Sequence, residues 1–96
     1  MKLISIKESK NPEKKFTATF ILDNGNIKET SFGAKHMDDY TLTKNLDQRE
    51  RYRNRHQKDL ITKDPTKAGY LSYYILWGDS TKMDENVNEY RKKFNL

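Results

Sequence analysis

Residues 15–32 read KFTATFILDNGNIKETSF, and this stretch decides the fold of the first third of the chain. Its first half is rich in β-branched and aromatic residues, which favour a strand. The central DNGN predicts a tight turn, because asparagine and glycine adopt positive φ angles at low cost. IKETSF then returns as a partner strand. The stretch therefore predicts a β-hairpin, with Phe16, Ala18 and Phe20 on one face.

A further strand is expected on the N-terminal side of this hairpin. KLISIK at residues 2–7 alternates apolar and polar side chains, and Asn11-Pro12 breaks the chain before the hairpin begins. The simplest sheet is a three-stranded antiparallel β-meander. Its phenylalanines could stack RNA bases, but the apolar helices further along need the same face, so we expect core packing there.

The segment after the sheet changes to helical signals. Residues 33–45 have no sustained period, which indicates a connecting loop or a short helical turn. Asp47 and Glu50 then resemble a capping box, with aspartate in place of the usual serine or threonine. We expect this first helix to run to about Leu60.

Two more helices are expected before the end of the chain. Asp64-Pro65 puts a capping residue before a proline at the first helical position, and Gly78 is a natural stop for that helix. Ser80 or Thr81 could cap the last helix. Its apolar positions follow the spacing of a single buried face: Met83, Val87, Tyr90 and Phe94.

The fold class predicted from these elements is α+β. A single domain is expected over residues 1–96, with a three-stranded antiparallel β-meander at 1–32 followed by three α-helices at 47–94. The chain has no cysteine, which excludes disulfides and thiolate metal sites. No apolar run approaches the ~18 residues of a membrane span, and the N-terminus lacks a signal-peptide core. We expect a soluble, intracellular protein.

The helix that begins near Asp47 has two different basic faces. The chain carries a net charge of +5, and most of the excess lies in residues 41–60, which hold six basic and three acidic residues. On a helical wheel the inward face carries Arg49, Tyr52, Arg53 and His56, and we expect these four residues to organise the fold. The outward face carries cations that remain free to hold a partner: Arg51, Arg55 and Lys58.

The second helix is apolar almost all the way round. Residues 68–77 read AGYLSYYILW, and only Gly69 and Ser72 leave a narrow sector of small side chains. Such a helix is either central to the core or half in the core and half in a partner, and we favour the second because so small a chain cannot easily cover it on every side. Four aromatic residues are therefore expected to act as hydrophobic anchors for a partner: Tyr70, Tyr73, Tyr74 and Trp77.

Signals for catalysis are sparse. His36 lies near Asp38 and Asp39, which could bind a metal or perform acid–base chemistry, but no second cluster of ligands has metal-site spacing. His56 stands alone among basic residues. The sequence has no glycine-rich phosphate loop and no nucleophile elbow. We expect a protein that is not an enzyme, with no cofactor and no metal site.

Several motifs together resemble a known group of proteins. FTATF, FGAK, DDYTL, ERYRNRH and DPTKAGYLSYYILWG, spread over roughly residues 16–78, are similar to an uncharacterised family of small basic proteins from large nucleocytoplasmic DNA viruses, the phycodnaviruses and mimivirus-like giants among them. The resemblance implies a viral origin and synthesis in the host cytoplasm. Small basic proteins of such viruses are commonly packaged in the virion. No activity is implied.

Two functions are consistent with these observations. The first is a virion structural protein, a minor capsid or cement-type component that bridges other capsid proteins through its aromatic anchors and its outward cations. The alternative is a small basic protein that contacts nucleic acid phosphates weakly and without sequence preference, in the virion or the infected cell. The contacts expected for the alternative are Lys44, Arg51, Arg55, Lys58, Arg91, Lys92 and Lys93.

Overall fold

The computed structural model describes all residues from Met1 to Leu96, and its first third is an antiparallel sheet. The strands are β1 (Lys2–Glu8), β2 (Lys14–Ile21) and β3 (Ile27–Ala34), in the spatial order β1-β2-β3. The predicted three-stranded meander is therefore confirmed. The register places Phe16 opposite Phe32, so both rings lie on the same face of the sheet.

The turn between β2 and β3 forms as the DNGN signal predicts. Gly25 has φ +85°, a conformation that L side chains rarely adopt. The side chain of Asn24 accepts a hydrogen bond from the backbone N–H of Asn26 at 2.9 Å, and Leu22 N–H donates to the Asn26 carbonyl at 2.8 Å. Local residue chemistry is sufficient to close this hairpin.

Four helices follow the sheet: α1 (Tyr40–Thr43), α2 (Leu46–His56), α3 (Ala68–Leu71) and α4 (Met83–Phe94). A 3₁₀ segment, Gln57–Thr62, continues α2, and a π-helical segment, Ser72–Leu76, continues α3. The α+β class is confirmed, with one more helix than predicted. The additional helix, α1, lies where the sequence allowed either a loop or a short helical turn. No helix is both long enough and apolar enough to cross a membrane.

The first predicted helix begins and ends elsewhere than expected. Its N-cap is Asn45, whose side chain accepts a hydrogen bond from the Gln48 N–H at 3.0 Å, and not Asp47. Asp47 instead lies within the first turn, where its charge suits the helix dipole. The α-helical geometry stops at His56, so the residues up to Leu60 form a 3₁₀ turn.

The second predicted helix begins at Ala68, not at Pro65. The carboxylate of Asp64 accepts hydrogen bonds from the N–H and the hydroxyl of Thr66 at 2.9 and 2.7 Å, which closes a turn. Thr66 then binds the edge of β3, since its carbonyl accepts from the Thr30 hydroxyl at 2.8 Å. These contacts hold the turn on the sheet and delay the helix. The hydrogen bonds from Thr66 also lower the pKa of Asp64.

The cap of the last helix also differs from the expectation. The N-cap is Lys82, which makes no side-chain cap hydrogen bond, and not Ser80 or Thr81. The Ser80 hydroxyl instead accepts from the Lys82 N–H at 3.0 Å and donates to the carboxylate of Glu85 at 2.6 Å. The Ser80 hydroxyl therefore contacts the start of α4, although Ser80 lies two residues before the N-cap Lys82.

The core lies between the sheet and the helices α3 and α4. Phe20 and Phe32 contribute fully buried rings from the sheet, and the helices contribute Leu71, Ile75 and Tyr90. The four apolar positions predicted for α4 all pack against this cluster, with Tyr90 nearly fully buried. Burial of such side chains stabilises the fold by about 1.5–3 kcal/mol each.

The expectation that α3 is too apolar to be covered by its own chain is wrong. Tyr70, Tyr73 and Trp77 are only 6%, 7% and 6% exposed, and Tyr74 is half-buried. Tyr74 packs edge-to-face with Tyr73 and with Phe94, the latter 5.3 Å away between ring centroids, and Tyr70 packs edge-to-face with Phe94. Trp77 instead stacks face-to-face on Tyr52. The three buried rings are thus not exposed anchors. The apolar pattern of this helix did not indicate that α2, α4 and the sheet surround it so completely.

Candidate functional site

The outward face of α2 presents three cations to solvent. Arg51, Arg55 and Lys58 are all exposed, as the helical wheel places them. None of them takes part in any of the six ion pairs of the structure. Their charges are therefore available to an anionic partner.

The inward arginines of α2 bind the backbone at the end of the π-helical segment. Arg53 donates to the carbonyl of Trp77 at 2.8 Å and lies over the ring of Tyr73, 4.2 Å from its centroid. Arg49 donates to the carbonyl of Gly78 at 2.7 Å. Carbonyls at a helix end lack intrahelical partners, so these two guanidinium groups satisfy acceptors that would otherwise stay unpaired near the core.

A third side chain completes the contacts at this helix end. The amide of buried Asn86 donates to the carbonyls of Ile75 and Ser80 at 2.9 and 2.7 Å. The chain passes so close that a Cβ at Gly78 would lie 2.2 Å from the Tyr74 carbonyl oxygen. Only glycine fits at this position. The end of the π-helical segment is therefore held rigidly by α2 and α4.

Three rings stack in a row beside this helix end. Tyr52 lies 4.3 Å from Trp77 and 4.1 Å from His56 between ring centroids, with interplanar angles of 9° and 22°. Burial raises the pKa of Tyr52, and the nearby charge of Asp59 adds to the rise. His56 ends the stack with 38% of its side chain exposed, and its Nδ1 lies 2.9 Å from the carboxylate of Asp59. A carboxylate only accepts, so Nδ1 of His56 is the donor in this contact.

The ring stack lines an open cleft of about 540 Å³ between the sheet end, α2 and α3. Both histidines of the chain, His36 and His56, line it, together with Asp38 and Asp59. The sequence placed these residues in separate stretches, and only their position in the fold brings them together. No group of three or more His, Asp or Glu side chains is arranged to hold a metal ion.

Asp39 is buried and stabilises the fold through its own contacts. It is 2% exposed, and Lys15 pairs with it at 2.6 Å between Nζ and Oδ2. Its other oxygen accepts from the N–H of Thr41 at 2.9 Å and caps α1. Both oxygens are thus engaged within the fold, which removes Asp39 from the acidic cluster considered with His36.

A strongly exposed apolar residue lies next to the outward cations. Ile61 is 82% exposed and shares a shallow groove with Arg55, Lys58 and Leu60. The sequence does not indicate its exposure, because the α-helix predicted there ends at Leu60. We call the set Arg51, Arg55, Lys58 and Ile61 the α2 outer surface.

The other cations expected to contact nucleic acid differ in availability. Arg91 is not free for phosphates, because its Nε and Nη2 donate to the Leu3 carbonyl at 3.2 and 3.1 Å and cover the edge of β1. Lys92 and Lys93 are exposed on α4, with Lys93 5.5 Å from the ring centroid of Tyr74. Lys44 is exposed at the end of α1 with φ 56°.

Comparison with known proteins gives a match to a family model over the N-terminal half of the chain. No curated protein and no solved structure matches the chain significantly. The matching model covers β1 from Ile4 onward, β2, β3, α1 and all of α2, and it ends at the residue that closes the ring stack. Residues 4–56, more than half of the chain, match the model of a family of unknown function (DUF5754), and the chain belongs to that family.

Proposed function

We propose that this protein is a non-enzymatic virion structural protein of a large DNA virus, a minor capsid or cement-type component that binds other capsid proteins through the α2 outer surface. The observation that carries the proposal is Ile61, 82% exposed beside unpaired Arg55 and Lys58. Protein interfaces combine an apolar centre with a polar rim, and this surface has both on one helix end. The partner surface would be apolar at its centre and acidic around it.

The α2 outer surface replaces the aromatic anchors that the sequence suggested. Three of those four rings are buried within the chain, so they add nothing to a partner contact. Exposed arginine and isoleucine side chains supply the binding energy instead, most of it from those that the partner fully desolvates.

The location in a virus particle is supported by the sequence motifs rather than by the site. FGAK, DDYTL and ERYRNRH resemble small basic proteins of large DNA viruses, and such proteins are commonly packaged. The proposal joins that resemblance to a surface that suits contact with a second protein.

The test is crosslinking in purified particles of a virus that carries this gene. Crosslinks from Lys58 to a capsid chain are expected, and Ile61→Asp should abolish them and reduce incorporation of the protein. Ile27→Asp is the matched control, because Ile27 is also an exposed isoleucine, 56% exposed, but lies on the sheet. Absence of the protein from purified particles would refute the virion role.

The alternative, weak binding to nucleic acid phosphates, is favoured by the absence of ion pairs at Arg51, Arg55 and Lys58. Three phosphate contacts predict a slope of about −2.7 for log affinity against log salt concentration. A salt titration with duplex DNA separates the two functions. Binding that follows this slope and survives Ile61→Asp would favour nucleic acid, whereas no detectable binding would remove that alternative.

A further inference from the structure

We propose that the cleft beside the ring stack is a nucleotide-binding site, with the base stacked on His56 and the phosphate held by Arg55 and Lys14. This site is distinct from the capsid contact proposed above, although Arg55 borders both. It rests on three features of the cleft: an open ring face, unpaired cations and a suitable size.

The ring stack ends on a face that another planar group can cover. Trp77, Tyr52 and His56 stack in that order, and Tyr52 occupies one face of the imidazole. His56 also lines the cleft and keeps 38% of its side chain exposed. A nucleobase would extend the stack by one ring, and every base has a π-face suited to this contact.

Two cations that make no ion pair line the cleft. Lys15 is neutralised by Asp39, and Asp59 accepts a hydrogen bond from His56, which cancels its charge only when the imidazole is protonated. The unpaired charges that remain among the lining residues are the cations Lys14 and Arg55 and the carboxylate Asp38. A guanidinium fork matches phosphate geometry, and a carboxylate can accept from the exocyclic amino group of a base.

Small side chains leave room for the ligand. The small side chains of Ala68 and Gly69 on α3 and of Ser72 at the start of the π-helical segment line the cleft. The resulting volume of about 540 Å³ lies within the ~300–1,000 Å³ of typical small-molecule sites.

Calorimetric titration with AMP, adenosine and inorganic phosphate tests the proposal. AMP should bind saturably and more tightly than either of its parts. Trp77 is the only tryptophan and forms the inner end of the stack, so its fluorescence should change with AMP. His56→Ala should weaken AMP binding by about tenfold or more, whereas His56→Phe, which retains a ring, should preserve it.

Charge variants locate the phosphate. Arg55→Gln should reduce AMP affinity toward that of adenosine, and Arg51→Gln, one helical turn away and outside the cleft, should leave it unchanged. No saturable AMP binding up to about 1 mM, or AMP binding that His56→Ala leaves unaltered, would overturn the proposal. Neither result bears on crosslinking of Lys58 to capsid chains.

A short single-stranded adenosine oligomer distinguishes a free nucleotide from an unpaired nucleotide of a strand. If the oligomer binds more tightly than AMP and Arg51→Gln weakens only the oligomer, the site takes a strand whose phosphates continue along α2. If both ligands bind equally, the site takes the mononucleotide. Oligomer binding that is insensitive to both His56→Ala and Arg55→Gln would place the contact elsewhere and contradict the proposal.

Discussion

The two faces of α2 carry two arginines each, yet the pairs have different environments. Arg49 and Arg53 are partly buried and donate to the carbonyls of Gly78 and Trp77. Arg51 and Arg55 are exposed and make no ion pair. The guanidinium group is the same in all four, so its effect depends on whether an acceptor in a dry environment faces it.

This difference separates stability from binding within a single helix. Truncating an inward arginine leaves a carbonyl without its donor, which costs free energy of folding. Truncating an outward arginine removes only a solvated charge, so its cost should appear in partner binding alone.

Gly78→Ala should destabilise the protein most, because it displaces the acceptor that Arg49 binds. The added Cβ would lie 2.2 Å from the Tyr74 carbonyl oxygen and 2.7 Å from the Asn86 Cγ. Overpacking against rigid backbone is expected to lower the free energy of unfolding by about 3 kcal/mol or more, measured by urea denaturation.

The neighbouring position provides the control for this variant. Asp79 has a side chain that is 95% exposed and contacts Arg49 only at the surface, so Asp79→Ala should change stability by less than about 1 kcal/mol. Equal urea midpoints for Gly78→Ala and the wild type would show that this helix end can move aside, contrary to the rigid acceptor inferred here.

Arg53→Met should lower the free energy of unfolding by about 2–3 kcal/mol, since it removes both the bond to the Trp77 carbonyl and the contact over Tyr73. Arg51→Met makes the same chemical change on the outward face and should alter stability by no more than about 0.5 kcal/mol. Urea denaturation of the two variants compares the faces directly. Equal losses would mean that the two faces do not differ as the structure indicates.

Alkaline pH should weaken the inward face through Tyr52. Burial raises the pKa of this phenol above the ordinary value of 10.0, so the unfolded chain releases the proton near that pH while the folded chain retains it. Stability is therefore complete below about pH 10 and falls as the pH rises further, by at most about 1.4 kcal/mol per pH unit for each such tyrosine.

Thermal unfolding measured from about pH 8 to about pH 11 follows this loss of stability. Tyr52→Phe keeps the stacked ring, and its stability should fall less steeply above about pH 10. Part of the loss should remain, because the pKa of buried Tyr90 is also raised. Identical profiles for the variant and the wild type would show that Tyr52 ionises alike in both states.

The hairpin and the sheet were predictable because their signals are local. DNGN adopts its turn through its own backbone and side chains, and alternation places Ala18 and Phe20 inward whatever packs on them. The caps were harder to predict, because Asn45 and Asp47 are both good capping residues and only the tertiary position of α2 selects between them. Pro65 failed as a helix start for a related reason, since Thr66 binds the edge of β3.

The candidate site was predictable only in part. The helical wheel correctly placed Arg51 and Arg55 outward, because α2 is regular at those positions. It could not reveal the cleft, since His36 and His56 are far apart in sequence and line the same cleft only in the folded chain, where β3 packs against α3 and the π-helical segment. Ile61 lies in the 3₁₀ segment after α2, and no local sequence pattern predicted that segment or the exposure of Ile61.

The sequence by itself determined the antiparallel meander, the helical second half and the outward basic face of α2, because turns and periodicities depend on neighbouring residues. The tertiary structure alone decided that the aromatic residues of α3 are core rather than surface. It also decided that Arg49 and Arg53 bind the carbonyls at the end of the π-helical segment. Burial and hydrogen-bond partners depend on segments distant in the chain, and only folding brings those segments into contact.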